Sequence, residues 1–164
     1  MIFASLTFLY LFLPANLLFY FLSRRQLYRN VLLTGFSLFF YAWGEPVWVT
    51  LLIFSSALDY LNGLIIERHR GRWQAKFALI LSLAVNLGLL GLFKYSAFLY
   101  ENLNVLFGLS LTVPTFALPI GISFYTFQTI SYTVDVYRDQ VKVQHSFLRF
   151  LVFVSLFPQL VAGP

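Results

Sequence analysis

Residues 2–22 read IFASLTFLYLFLPANLLFYFL, 21 positions without a charge. As an α-helix this run is about 31 Å long, the thickness of a bilayer's hydrocarbon core. A cleavable signal peptide would place its basic residues before the apolar run. Here Arg24, Arg25 and Arg29 follow it, so the segment reads as a retained span, kinked at Pro14. The rest of the chain has the same character. Of 164 residues, 60% are hydrophobic, 20% aromatic and only 10% charged, where soluble domains carry roughly 25% charged residues. An ordinary soluble fold and a disordered chain are both excluded. The absence of cysteine excludes disulfides, thiolate metal sites and a cysteine nucleophile. The net charge of +5 sits in short clusters between long apolar runs, as in multispan membrane proteins and unlike nucleic-acid binders. The expected fold class is all-α, a polytopic transmembrane helical protein.

Working outward, the spans are read at about 2–22, 31–43, 47–66, 77–93 and 119–138, with an incomplete one over 147–164, all in one domain covering 1–164. Gly44-Glu45-Pro46 is a turn signature, and the segment from Glu67 to Trp73 is a solvated basic loop. Asn102 to Val134 is uncharged but holds Pro114 and Pro119. It divides into an irregular or interfacial stretch up to Leu118 and a helix with Pro119 in its first turn, where a missing N–H costs nothing. Placing Arg24, Arg25 and Arg29 in the cytoplasm puts the N-terminus outside, the 44–46 and 94–101 turns outside, and the 67–76 and 138–149 loops inside. Every basic residue except Lys94 is then cytoplasmic, the asymmetry that topology rules require. The last run stops at Gly163-Pro164 without a polar flank. A terminal carboxylate at membrane depth is costly, so the chain is expected to continue; an end buried against other protein or at the far interface is the alternative.

Chemistry-bearing residues are few. Both histidines, His69 and His145, fall in basic loops, where solvated side chains are the rule. There is no zinc-protease helix, nucleophile elbow, P-loop or dinucleotide fingerprint, and no metal-ligating set. Gly88-x-x-Gly91 suits close helix packing. Intramembrane polar residues are a stronger signal, because they face a bundle interior or a wet cavity. Asp59 has Asn62 and Gly63 one turn away on its own face, which suits either an interhelical hydrogen-bond anchor or a cavity-lining group. On the 119–139 helix, at about 100° per residue, Gly121, Tyr125, Gln128, Tyr132, Asp135 and Asp139 form one narrow face. Ile130 lies opposite, flanked by Phe127 and Val134. Such a polar, acidic and aromatic stripe is expected to face other helices or a channel.

Particular strings carry a family resemblance. The run from Leu118 to Gln128 (LPIGISFYTFQ), then Ile130-Ser131-Tyr132 and Asp135-Val136-Tyr137-Arg138, resembles a signature stretch of the membrane-bound O-acyltransferases. Phe157 to Pro164 (FPQLVAGP) resembles their next signature, and the opening to Pro14, Phe40-Tyr41-Ala42-Trp43 and Phe93-Lys94-Tyr95 are similar too. The resemblance covers the whole chain and is strongest to the alginate O-acetyltransferase branch, with its peptidoglycan-acetylating relatives. It implies the N-terminal part of a helical bundle enzyme of the bacterial inner membrane. That enzyme would take an acetyl group from a cytoplasmic thioester, acetyl-CoA or another acyl donor, for O-acetylation of an exported alginate-like or peptidoglycan-like polysaccharide. An extracytoplasmic acetyltransferase partner is implied as well; nucleic acid is not.

The family's catalytic histidine lies in an Arg-Trp-His-type string that this chain lacks, since Arg72-Trp73 is followed by Gln74. No catalytic residue is therefore assigned. The missing histidine would act as general base on the acceptor hydroxyl. Tyr125, Gln128, Tyr132, Asp135 and Gln159 are the candidates for lining the reaction cavity, and Asp59 and Asn62 are the intramembrane polar pair. The basic cluster from Arg68 to Lys76 suits CoA phosphates or, more simply, anionic lipid. A membrane scaffold or transporter subunit without enzymatic activity is the alternative from another class, and a decayed reading frame a third.

Overall fold

The structure, a computed structural model, describes residues 6–44, 46–108 and 118–162. Within them every regular element is helical. Residues 2–5, Glu45, the 109–117 part of the expected irregular stretch with Pro114, and Gly163-Pro164 lie outside the described residues. A π-helical turn, Phe8–Phe12, leads into α1, Leu13–Leu22. Pro14 in the first turn of α1 brings no N–H to the helical ladder, and the wider π turn just before it absorbs that loss. α2 covers Gln26–Gly44, five residues earlier than the apolar pattern predicts. Its first turn takes in polar residues and Arg29, which a hydropathy reading assigns to the loop.

α3, Trp48–Arg68, and α4, Trp73–Lys94, are each long and apolar enough to cross a membrane. They are joined by a short link in which Gly71 takes a positive φ of 76°.

Three further boundaries differ from the sequence reading. The expected 94–101 turn and the start of the irregular stretch are instead α5, Ser96–Phe107, closed by Gly108 in the left-handed conformation. At twelve residues and about 18 Å, α5 is too short to cross a bilayer. Its Glu101, Asn102 and Asn104 hide it from an apolar-run search, while Gly108 is the usual helix-ending signal. α6, Ile122–Tyr137, begins after Gly121, which takes φ 76°; Pro119 sits in the preceding turn, its carbonyl accepting from the N–H of Ile122 at 3.2 Å. The run expected over 147–164 is broken into α7, Phe147–Ser155, and α8, Phe157–Ala162. Pro158 takes the first-turn role that the sequence reading gave to Pro119.

α3, α4 and α6 form the centre. Asp59 of α3 is 0% exposed and accepts from Ser82 Oγ at 2.5 Å and Asn86 Nδ2 at 2.8 Å, both on α4. The same Asn86 Nδ2 donates to Ser82 O, and its Oδ1 accepts from Ser55 Oγ of α3 at 2.8 Å. From α6, Thr129 Oγ1 lies 3.5 Å from Asn86 Oδ1, and Thr133 Oγ1 lies 3.4 Å from Ser82 Oγ. Lipid tails are as apolar as leucine, so burial gives helices little reason to choose each other in a bilayer. Small residues and complementary polar groups supply that choice. Beside this layer, Gly63 lets the Tyr132 ring of α6 pack directly on α3: a Cβ there would sit 3.3 Å from the ring. The π turn ahead of α1 joins through an aromatic cluster in which Phe8, Phe12 and Phe40 surround Phe157.

Asp59→Leu removes the 2.5 Å acceptor of the Ser82 hydroxyl and one of the two acceptors of the Asn86 amide in an apolar interior, at a cost of about 1–3 kcal/mol. The variant is expected to unfold at a clearly lower temperature in detergent. Ser82→Ala, which removes one donor and keeps Asn86 paired, is expected to lose less than half as much. Equal midpoints for Asp59→Leu and the parent chain would show that the network does not hold the three helices.

Candidate functional site

The N-terminus of α6 is fixed by a close approach. A Cβ on Gly121 would stand 2.6 Å from the carbonyl oxygen of Leu160 and 2.8 Å from its Cδ2, so glycine is needed for space as well as for its positive φ. This seats α8 against α6 and carries Gln159 toward Gln128. The α7–α8 break supplies the other half. In a continuous helix the N–H of Phe157 would serve the carbonyl of Phe153; instead it points at Ser37 Oγ of α2, 3.4 Å away. Gln128 Nε2 takes the freed Phe153 carbonyl at 2.7 Å and lies 3.3 Å from Gln159 Oε1. A backbone acceptor orphaned by a helix end is thus satisfied by a side chain from a neighbouring helix.

Beside this amide pair opens a cleft of about 550 Å³ between α6, α7 and the segment joining them. Phe127, Phe150 and Phe153 form its apolar wall, and Gln128 and Gln159 lie at its inner end. Toward the loop it becomes polar, with Ser131, Tyr132, Asp135, Lys142, Gln144 and Arg149. Tyr132 is the hinge between cleft and core. Its ring lies 4.8 Å from that of Phe150, and its hydroxyl accepts from the backbone N–H of Gln144 at 3.0 Å. Asp135 has no ion-pair partner among the described residues. The arrangement can hold an amphipathic ligand, its anionic part at Lys142 and Arg149 and its slender part against the phenylalanines. No histidine lines the cleft, and no metal-binding group of His, Asp and Glu gathers among the described residues.

The structure brings Gln128, Tyr132, Asp135 and Gln159 to one cleft and leaves Tyr125 out of it. Tyr125 is 1% exposed within the core, its hydroxyl without a hydrogen-bond partner. The expected single stripe is divided because α6 is turned about 80° from the orientation the polar face suggests. Ile122, Tyr125, Thr126, Thr129, Tyr132, Thr133 and Val136 are the buried residues of α6, and the stripe straddles the edge of that face. Phe127, expected on the far side, shares the cleft with Gln128. Asp139 lies beyond the helix at φ 61° and pairs with Arg70. Asp59 belongs to the interhelical network, and Asn62 beside it is buried with its Nδ2 unpaired. Lys142, Gln144 and Arg149 were missed because a loop cation reads as solvated until its surroundings are known. Their spacing after the acidic end of α6 is the only signal the sequence offered.

A second contact system ties the two basic loops together. Arg70 pairs with Asp139, His145 Nε2 lies 3.4 Å from Glu67, and Tyr60 Oη donates to the His145 carbonyl at 2.8 Å. At the other end of α6, Lys94 Nζ donates to Ser123 Oγ at 3.3 Å.

The whole chain matches about a third of several curated proteins. It is 43% identical to a probable alginate O-acetylase of Pseudomonas aeruginosa, over 100% of this chain and 32% of that protein. A probable alginate O-acetylase of Azotobacter vinelandii is 43% identical over 100% of this chain and 34% of its own length. A peptidoglycan O-acetyltransferase of Helicobacter pylori is 31% identical over 100% of this chain and 36% of its own. No family model matches the chain, and no solved structure matches it. By length and composition α3 and α4 are suited to crossing a bilayer.

Gly121→Ala puts a methyl group onto the Leu160 backbone and forces an L-residue into a left-handed conformation, which alone costs about 1–2 kcal/mol. The expected outcome is a lower unfolding temperature and protease sensitivity between α7 and α8. Gly88→Ala, where nothing lies within 4 Å, is expected to behave like the parent. Matching behaviour of the two variants would contradict the tight α6–α8 contact.

Proposed function

We infer that this chain belongs to the alginate O-acetylase branch of the membrane-bound O-acyltransferases, serves in O-acetylation of an exported polysaccharide and contributes a donor-side wall of the reaction cavity; its 31–43% identity to alginate O-acetylases and a peptidoglycan O-acetyltransferase supports this. The observation that carries this reading is the cleft beside α6. It is apolar and amide-lined at its inner end and cationic at the loop, which suits a phosphate-bearing acyl thioester such as acetyl-CoA entering from the side of the basic loops. Lys142 and Arg149 would hold the anionic part; arginine suits phosphate through its planar fork. The phenylalanine wall would exclude water from the thioester, and Gln128 and Gln159 offer amide groups where the slender end arrives. The general base would be a histidine outside this chain, since neither His69 nor His145 lines the cleft. An extracytoplasmic acetyltransferase partner would pass the acetyl group to the polysaccharide.

The proposed topology is multi-pass in the bacterial inner membrane, with the N-terminus outside and the 67–76 and 138–149 loops in the cytoplasm. The Arg70–Asp139 ion pair and the Glu67–His145 contact joining those segments support a shared side, and the positive charge of the loops supports the inner one. The lack of cysteine in the chain makes this simple to check. In spheroplasts an impermeant maleimide is expected to label Tyr95→Cys, and to label Arg72→Cys and Gln140→Cys only after permeabilisation. Labelling of Arg72→Cys and Tyr95→Cys from the same side would refute the topology.

For the activity, Lys142→Gln and Arg149→Gln in the full-length enzyme are expected to lower polysaccharide O-acetyl content severalfold at unchanged membrane protein level. The defect should be partly offset by raised donor concentration in a membrane assay, as for lost ground-state binding. Unchanged acetylation with both charges removed would sink the donor-cleft reading.

A further inference from the structure

A second groove lies along α2, between it and Phe12 of the π turn that precedes α1. It has a volume of about 480 Å³ and is lined by Phe12, Tyr28, Leu32, Gly35, Phe36 and Phe39 among others. Its floor is open at Gly35, where a Cβ would meet nothing within 4 Å. From Tyr28 to Phe39 the groove follows α2 for about 16 Å, close to the depth of one leaflet, about half of a 30 Å hydrocarbon core.

The Tyr28 end meets the α1–α2 corner, where Arg24, Arg25 and Arg29 stand. Arg29 is held there, its Nε donating to the Ser23 carbonyl at 3.0 Å and its guanidinium 4.7 Å from the Tyr20 ring centroid. Arg24 and Arg25 are exposed. No acidic residue occurs in the first 44 positions, and none of the three arginines has an ion-pair partner among the described residues. Three uncompensated cations thus cap a leaflet-deep apolar groove at one end only.

We propose that this groove is a binding site for one anionic phospholipid, an acyl chain lying along α2 over Gly35 and the phosphate at Arg24, Arg25 and Arg29. Lipid tails gain little from leaving bulk lipid for an apolar groove, so the chain sets position and the headgroup sets selectivity. Each arginine near an anionic headgroup favours it roughly fivefold. The site rests on membrane insertion of α1 and α2 and not on acetyl transfer, so its failure leaves the cleft beside α6 untouched.

The test is native mass spectrometry of the full-length protein in detergent with equimolar phosphatidylglycerol and phosphatidylcholine. The parent is expected to retain one phosphatidylglycerol on the order of a hundredfold over phosphatidylcholine. Arg24→Gln combined with Arg25→Gln is expected to lose about twenty-five-fold of that preference, leaving the roughly fivefold share of Arg29. Gly35→Leu fills the groove with a better helix former and is expected to lose the bound lipid while keeping the parent's unfolding temperature. Gly88→Leu, on the exposed face of α4 with nothing within 4 Å, is expected to retain it. Equal retention of the two lipids, undiminished retention by Gly35→Leu, or a second copy of the chain displacing lipid from the groove would each overturn the site. A protein that stays soluble without detergent and retains no lipid would instead overturn the membrane reading beneath it.

Discussion

The buried Asp59 side chain, held by Ser82 and Asn86 of α4, sets how α3, α4 and α6 meet. A group of that polarity is tolerated at the centre of an apolar bundle only if its neighbours hydrogen-bond to it, and those neighbours sit at fixed heights on α4. Ser82 and Asn86 are one turn apart, so both can face Asp59 only at one register of α3 against α4. Once that register is set, Ser55 meets Asn86, and the threonine face of α6 completes the layer. Shape alone would leave these apolar helices free to slide, because the surrounding lipid competes equally well for their side chains.

The cleft follows from that placement of α6. With Thr126, Thr129 and Thr133 turned inward, Gln128 and Asp135 come to the rim. The break between α7 and α8 then gives Gln128 a carbonyl to hold. Two local features of opposite kind cooperate here: Pro158, which starts a new helix, and Gly121, which allows that helix to approach. Neither is polar, yet together they decide where the amide pair lies. The charged ends act separately, closing the loops on one side through Arg70–Asp139 and Glu67–His145.

Much of this was legible in the residues. Apolar runs of bilayer length, basic clusters between them, the isolated Asp59 and the strings from Leu118 to Arg138 all carry information at fixed sequence positions, and they yield helices, boundaries near α3 and α4, and the resemblance to the O-acetylases. The failures have physical causes. α5 was hidden because a short helix bearing Glu101 and Asn102 has no long apolar run. The 147–164 run looked continuous because a proline in a first turn and a proline in a helix interior are the same letter. Tyr125 looked like a companion of Gln128 because the two share a face when α6 is considered alone.

By itself, therefore, the sequence determined what each helix is made of: its length, its polar face and the sign of the charge at its ends, all properties of one segment and its periodicity. The tertiary structure decided which part of each face is covered. Coverage depends on partners far apart along the chain, Asn86 with Thr129 or Gln128 with Phe153, and the angular spacing of residues on one helix does not fix the direction from which another helix arrives.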